Sequence, residues 1–271
     1  MKKIALITGA SSGIGKDTAI LLQKNGHQVY GAARRTEKMK DLEEHGIKII
    51  AMDITEEESV VNCVNTIMEQ EGRIDVLVNN AGYGSYGALE DVPIEEARNQ
   101  FDVNIFGLAR LTQLVLPKMR ENGLGKIVNI SSMGGKIYTP FGGWYHATKH
   151  ALEGWSDCLR LETKQFGIDV VVVEPGGIKT EWGGIAAENL KQTSGEGAYA
   201  EAAIKTANRT AEMYKSNRLS DPSVISRTIL KAVTAKRPRI RYVVGFGAKP
   251  AIKMRSWFGD RFYDRMIERL A

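Results

Sequence analysis

Tyr145 and Lys149 lie four positions apart, so in a helix they share one face. Of the nine tyrosines, only Tyr145 has a lysine four residues on. A phenol titrates near ~10, too high for acid–base work at neutral pH. An ammonium about 5 Å away, at an effective dielectric of ~20, supplies roughly 3 kcal/mol, or about two pKa units. That would bring the phenol close to a working range. Ser131 and Ser132 stand 14 and 13 positions earlier, at the end of an apolar run. The chemistry on offer is acid–base catalysis by a phenol, against the plain alternative of a surface tyrosine beside a solvated lysine.

Something must hold these side chains at one edge. Short apolar, β-branched runs at 4–8, 28–33, 48–52, 76–79, 126–131, 169–174 and 240–244 read as strands. Helical patterns fill 15–25, 37–45, 56–70, 94–120, 145–166 and 222–235. The alternation predicts an α/β fold: a Rossmann-type, doubly wound parallel sheet of six or seven strands in three layers. No composition break interrupts it, so 1–271 reads as one domain. Two stretches depart from the rhythm. Residues 182–220 read as a helical insertion or flap, and 249–271 as a C-terminal amphipathic helix with Phe258, Phe262, Met266 and Leu270 in one stripe.

The first strand runs into Thr8-Gly9-Ala10-Ser11-Ser12-Gly13-Ile14-Gly15. Its glycines permit a tight turn and close backbone approach, and the helix that follows aims its N–H groups at whatever sits above, which suits a pyrophosphate. A plain strand–helix connection is the alternative reading of the turn. The second strand ends in Arg34-Arg35, without the Asp or Glu that would hold a ribose 2′-hydroxyl. A guanidinium there complements a 2′-phosphate, so NADP(H) is favoured, with NAD(H) left open. A solvated arginine pair is the alternative. Asp53 and Ile54, ending the third strand, are placed to take an adenine amino group and cover its ring.

Composition bounds the rest. The chain of 271 residues is 43% hydrophobic and 25% charged, long enough for an unstapled core and unlike disordered or collagen-like sequences. No apolar run reaches ~18 residues, and the start lacks the h-region of a signal peptide. Cys63 and Cys158 are too few and scattered for a disulfide scaffold or thiolate metal site, so a reducing, cytoplasmic setting and no metal are expected. Of the +5 net charge, residues 236–271 hold ten Lys/Arg against three Asp/Glu. A basic tail on a near-neutral body argues against nucleic acid binding.

The chain resembles the short-chain dehydrogenase/reductase family in its ordinary ~250-residue form. Five motifs stand in order: the Thr8–Gly15 turn, Asn79-Asn80-Ala81-Gly82, Asn104, Ser132 with Tyr145-x-x-x-Lys149, and Pro175-Gly176-Gly177-Ile178-Lys179-Thr180. The resemblance implies a nicotinamide cofactor and ketone–alcohol interconversion. It implies that Tyr145 exchanges the proton, Ser132 holds the substrate oxygen, and Lys149 holds the nicotinamide ribose and lowers the phenol pKa. Asn104 would anchor a relay water. Asn80, Ala81 and Gly82 would pack along the adenosine ribose, and Pro175, Gly176, Ile178 and Thr180 would frame the carboxamide. One departure bears on the cofactor: several NADP-using relatives carry Lys or Arg where Ser12 stands, so Ser11 and Ser12 leave the choice to Arg34. The extended epimerases and dehydratases, which share the Tyr/Lys pair, have two residues between successive turn glycines; here there are three, then one.

The chain is similar, more loosely, to the 17β-hydroxysteroid-dehydrogenase-like branch, which also holds retinol and acyl-dihydroxyacetone-phosphate reductases. Met133, Phe141, Trp144 and Trp182 flank the catalytic edge and would line an apolar wall, with packing as the alternative role. The expectation is an NADP(H)-dependent oxidoreductase for a steroid-, retinoid- or lipid-like carbonyl or alcohol. Its alternatives are an acyl-dihydroxyacetone-phosphate or general carbonyl reductase and, more distantly, a non-catalytic NADPH sensor. Family habit implies a homodimer or homotetramer. The tail is expected to dock on the protein; resting on an anionic membrane is the second reading.

Overall fold

The structure is a computed structural model that describes residues 2–270, the Leu270 side chain excepted. Seven strands form it: β1 (Ile4–Thr8), β2 (Gln28–Ala33), β3 (Lys48–Ala51), β4 (Val76–Asn79), β5 (Gly125–Ile130), β6 (Ile168–Pro175) and β7 (Arg241–Val244). All pair in parallel, in the order β3-β2-β1-β4-β5-β6-β7. The helices are α1 (Gly13–Lys24), α2 (Lys40–Glu43), α3 (Glu57–Glu71), α4 (Ile94–Phe101), α5 (Leu108–Glu121), α6 (Gly143–Thr163), α7 (Trp182–Ser194), α8 (Ala200–Lys215), α9 (Ser223–Thr234), α10 (Ala248–Phe258) and α11 (Asp260–Leu270).

Strand periodicity sorts the core onto two faces. Ala5 and Ile7 of β1 pack with Ala19 and Leu22 of α1 and Ile225 and Ile229 of α9. Ile4 and Leu6 face the other way, onto Val64 and Ile67 of α3, Leu111 and Val115 of α5 and Leu159 of α6. This is a Rossmann-like three-layer α/β fold, with its topological switch between β1 and β4. A buried polar column ties the second face together: Asn79 Nδ2 donates to Thr112 Oγ1 (3.1 Å) and Asn129 Oδ1 (2.9 Å), and Asn129 Nδ2 to Ser156 Oγ (2.9 Å).

The sequence pattern over 94–120 predicts one helix; the fold breaks it with a π turn at Asp102–Gly107. The apolar stripe is continuous, but Asn104 lies buried inside it and its side chain reaches for backbone across the gap. The C-terminal stripe is likewise divided. Gly259, at φ 74°, ends α10 before α11 begins, so Phe258 and Phe262 stand on different helices. The Leu270 side chain of that stripe lies outside the described residues. Residues 182–220 do form a helical insertion, α7 packed on α8 through Ala187, Leu190, Ala203 and Ala207.

Candidate active site

The turn after β1 is stitched to the end of β4. Thr8 Oγ1 accepts from the Asn80 and Ala81 N–H groups (3.0 and 2.9 Å), and Asn80 Nδ2 donates back to the Thr8 carbonyl (2.9 Å). The Asn80 side chain is therefore turned into the scaffold, leaving Ala81 and Gly82 to line the crevice. Thr8 sits in the turn motif but its role was not anticipated, since only the tertiary fold brings β4 beside it. The Ser12 side chain does not cap α1, so the first-turn N–H groups are not taken by it.

Gly15 is sterically required here. A Cβ on it would stand 2.4 Å from the Gly9 carbonyl oxygen and 2.5 Å from Asn80 Nδ2. Gly15→Ala should therefore lower stability by about 2 kcal/mol, the usual scale of overpacking, and weaken dinucleotide binding. A urea midpoint equal to wild type would show that the close approach is dispensable. Gly13 faces the methyl of Thr180, which brings the 175–180 loop over the turn. Ile178 itself is buried with β7 and α9, so its side chain serves the core and only its backbone reaches the edge. Ser11 is buried in the turn and Ile14 packs on the first core face.

At the end of β2, the Arg34 side chain is 74% exposed, with Asp53 Oδ2 3.8 Å from Nη1. Asp53 Oδ1 is already engaged by Thr55 N–H (3.0 Å) and Oγ1 (2.7 Å). Ile54 is buried in the second core face, so its side chain packs inward instead of covering a ligand ring.

Ser132, Tyr145 and Lys149 meet at the carboxyl edge of β5. Ser132 Oγ accepts from the Gly134 N–H (2.9 Å), which leaves its own hydroxyl hydrogen to be given away. Lys149 Nζ donates to the Ile130 carbonyl (2.9 Å) and stands 5.9 Å from the Tyr145 ring centroid. Burial pushes the Tyr145 phenol up to about 12, with the Ser132 hydroxyl pulling the other way. Burial likewise lowers Lys149 to about 8, opposed by Glu153. For the protein groups alone, burial thus outweighs the acidification expected of the amine. Desolvation disfavours both the phenolate and the ammonium, and the spacing argument took no account of it. His146, held neutral by burial, locks the adjoining loop: its Nε2 accepts from Thr139 N–H (3.0 Å) and its Nδ1 lies 3.0 Å from the Gly134 carbonyl.

Asn104 anchors the segment after Asn79–Gly82. Its Oδ1 accepts from Tyr83 N–H (3.0 Å), and its Nδ2 donates to the Tyr83 carbonyl (2.9 Å) and Thr148 Oγ1 (3.1 Å). A Cβ on Gly82 would stand 3.0 Å from Asn104 Oδ1 and 3.8 Å from Lys149 Nζ. Without a side chain there, Asn104 Oδ1 and Lys149 Nζ both border the Gly82 backbone.

Aromatic rings close over Tyr145. Trp182 lies 5.3 Å and Tyr86 6.0 Å from its ring, Tyr86 meets Trp182 edge-on at 5.7 Å, and Tyr214 of α8 lies 6.4 Å behind Trp182. Tyr86 and Tyr214 carry no sequence signal of this role; one follows a motif by chance of folding, the other sits mid-insertion. Phe141 takes a left-handed φ of 64° at a cost of about 1–2 kcal/mol, and its ring packs against the α7–α8 core. Met133 is half-buried in the turn after Ser132. Trp144 is not part of this wall. Successive helical residues point ~100° apart, so with Tyr145 facing the cleft Trp144 turns to Phe101, 6.4 Å away, in a groove with Ile94 and Phe106.

Comparisons with known proteins identify the family. The family model described as short chain dehydrogenase matches residues 3–191. A 3-ketodihydrosphingosine reductase from Bacteroides thetaiotaomicron is 39% identical over 261 residues, covering 95% of this chain and 94% of the relative. Among solved structures, a short-chain dehydrogenase from Streptomyces avermitilis superposes with a TM-score of 0.82 at 34% identity, covering 93% of this chain and 92% of its own. An actinorhodin polyketide ketoreductase solved with NADPH gives 0.76 at 30% identity, covering 91% and 97%. With a glycine turn at the switch point, a serine, tyrosine and lysine at one sheet edge, and relatives matched along almost their whole length, this chain belongs to the short-chain dehydrogenase family of oxidoreductases.

Proposed function

We propose that the protein interconverts a ketone and a secondary alcohol on a hydrophobic, lipid-like substrate, using NADP(H). The observation that carries this reading is the meeting of Ser132, Tyr145 and Lys149 beneath an aromatic cover, next to a glycine turn shaped for a dinucleotide. A reduced nicotinamide, held by the Thr8–Gly15 turn and the 175–180 loop, would supply the hydride for the carbonyl carbon. Tyr145 Oη gives its proton to the carbonyl oxygen, and Ser132 Oγ–H donates to that oxygen as its charge grows. With its pKa near 12 the phenol is protonated at neutral pH, the state that reduction requires. Lys149 and Asn104 Oδ1 both border Gly82, and a water carried between them would return the proton to Tyr145. Ala81, Gly82, Pro175, Gly176 and Thr180 border the cofactor crevice in this reading.

The exposed Arg34 guanidinium, only loosely paired with Asp53 at 3.8 Å, supports NADP(H), because a 2′-phosphate offers it charged oxygens that a ribose 2′-hydroxyl does not. Arg34→Ala should weaken NADPH about 10- to 100-fold and NADH little, the scale of one or two charge-assisted hydrogen bonds. Titrations that weaken both cofactors equally would refute the choice. The rings of Trp182, Tyr86 and Tyr214 favour a long apolar carbonyl over a small polar one, in keeping with the sphinganine-type ketone named for the relative. Loss of 340 nm absorbance should be faster with long-chain 3-keto lipids and steroids than with short polar ketones. The opposite ranking would sink the substrate class while leaving the reaction type standing.

A further inference from the structure

The chain leaves β7 through Phe246, whose carbonyl accepts from the Gly177 N–H (2.9 Å), so the C-terminal helices hang on the same sheet edge as the candidate site. They dock by a defined set of contacts. Tyr263 is buried, its ring lies edge-on to Tyr138 at 5.2 Å, and its hydroxyl donates to the Tyr138 carbonyl (3.2 Å). Tyr138 donates to Asp264 (2.7 Å), and Arg255 donates to the Lys136 carbonyl (2.6 Å) while pairing with Asp260 (3.1 Å). Each of these anchors falls on residues 136–138, shortly after Ser132.

The opposite side of the α10–α11 elbow is undocked and apolar. Trp257, Phe258 and Phe262 are 71%, 60% and 44% exposed. Phe258 and Phe262 meet across the Gly259 joint at 4.9 Å, which makes one ridge of two helices. The charges beside it are sorted. Arg261, Arg265 and Arg269, four apart, form one row on α11, with Arg265 one turn from Phe262 on the helix surface. Asp264 is engaged by Tyr138 of the body and Asp260 by Arg255 of α10, which leaves the exposed Glu268 as the one carboxylate beside the row, and no ion pair of these three arginines occurs among the described residues. Lys253 lies 5.3 Å over the Trp257 ring.

An aromatic ridge bordered by cations fits the headgroup zone of an anionic bilayer. It fits a second copy of itself less well, because each copy would bring three arginines against the single carboxylate of Glu268. We propose that the α10–α11 elbow is an interfacial anchor, which lays Trp257, Phe258 and Phe262 into an anionic lipid surface and brings the candidate catalytic edge to it.

Purified full-length protein should sediment with phosphatidylcholine vesicles containing about a third phosphatidylglycerol, and far less with phosphatidylcholine alone. Each arginine near the surface is worth about fivefold, so Arg261→Gln/Arg265→Gln/Arg269→Gln should lower partitioning about 100-fold. Trp257→Ala/Phe258→Ala/Phe262→Ala should lower it at least about tenfold. Both variants should keep the wild-type rate on a water-soluble ketone, which reports that they fold. Addition of the anionic vesicles should shift tryptophan emission to the blue in the wild type and much less in Trp257→Phe. The proposal fails if wild type stays in the supernatant, or if the arginine variant, whose changes are wholly on the surface, sediments like wild type. It fails equally if wild type is a dimer that the aromatic variant turns into a monomer while neither binds vesicles, since the ridge is then a subunit contact.

Discussion

Tyr145→Phe should lower kcat/KM for ketone reduction about 1,000-fold, the middle of the range for loss of a positioned general acid. It should leave NADPH binding and the thermal midpoint nearly unchanged. The substitution removes one oxygen and keeps the ring that packs against Trp182 and Tyr86. That oxygen is the group whose protonation state the site controls: burial holds it protonated, and Ser132 is the polar neighbour that opposes the rise. Steady-state kinetics with NADPH titration checks both halves. A variant within tenfold of wild type would mean that the proton comes from elsewhere.

Lys149→Met should have two effects of opposite sign. Turnover should fall about 100-fold or more, because the proposed proton path to Tyr145 and the proposed amine contact to the cofactor would both be lost. Stability at pH 7 should rise by about 2 kcal/mol. Folding lowers the Lys149 pKa from 10.5 to about 8, through burial. A lowered pKa means that the unfolded chain binds the proton where the folded one does not. The penalty is therefore complete below pH 8, about 3 kcal/mol, and fades as pH rises from about 8 to 10.5. The hydrogen bond to the Ile130 carbonyl returns about 1 kcal/mol of it. Urea midpoints of the cofactor-free chain at pH 7 and pH 9.5 should thus show a gain for the variant that shrinks with pH. A variant less stable at pH 7, or a difference independent of pH, would show that desolvation of the amine is not the governing cost.

These two residues also show how far local spacing carries. Tyr145 and Lys149 were legible as a pair because the helical period fixes their shared face wherever the helix sits. Trp144, one position away, was misplaced for the same reason that Tyr145 was placed: a wall on one side of α6 cannot hold both neighbours. The π turn at Asn104 was invisible in the apolar pattern, since the stripe stays in phase while the side chain bonds to the Tyr83 backbone. The tail read as docked or as membrane-facing, and the break at Gly259 lets one side dock through Tyr263 while another stays bare.

Neighbours along the chain set the alternating strands and helices, the glycine turn, the tyrosine–lysine face and the arginine at the end of the second strand. These follow from backbone sterics and helical period, which act over a few residues. Tertiary structure alone decided what depends on surroundings. It brought Tyr86 and Tyr214 together around Trp182, turned Ile54 and Ile178 into the core, and set the titration of Tyr145 and Lys149. Burial and the dielectric around a charge are sums over every element packed nearby, and no segment carries that sum in its own residues.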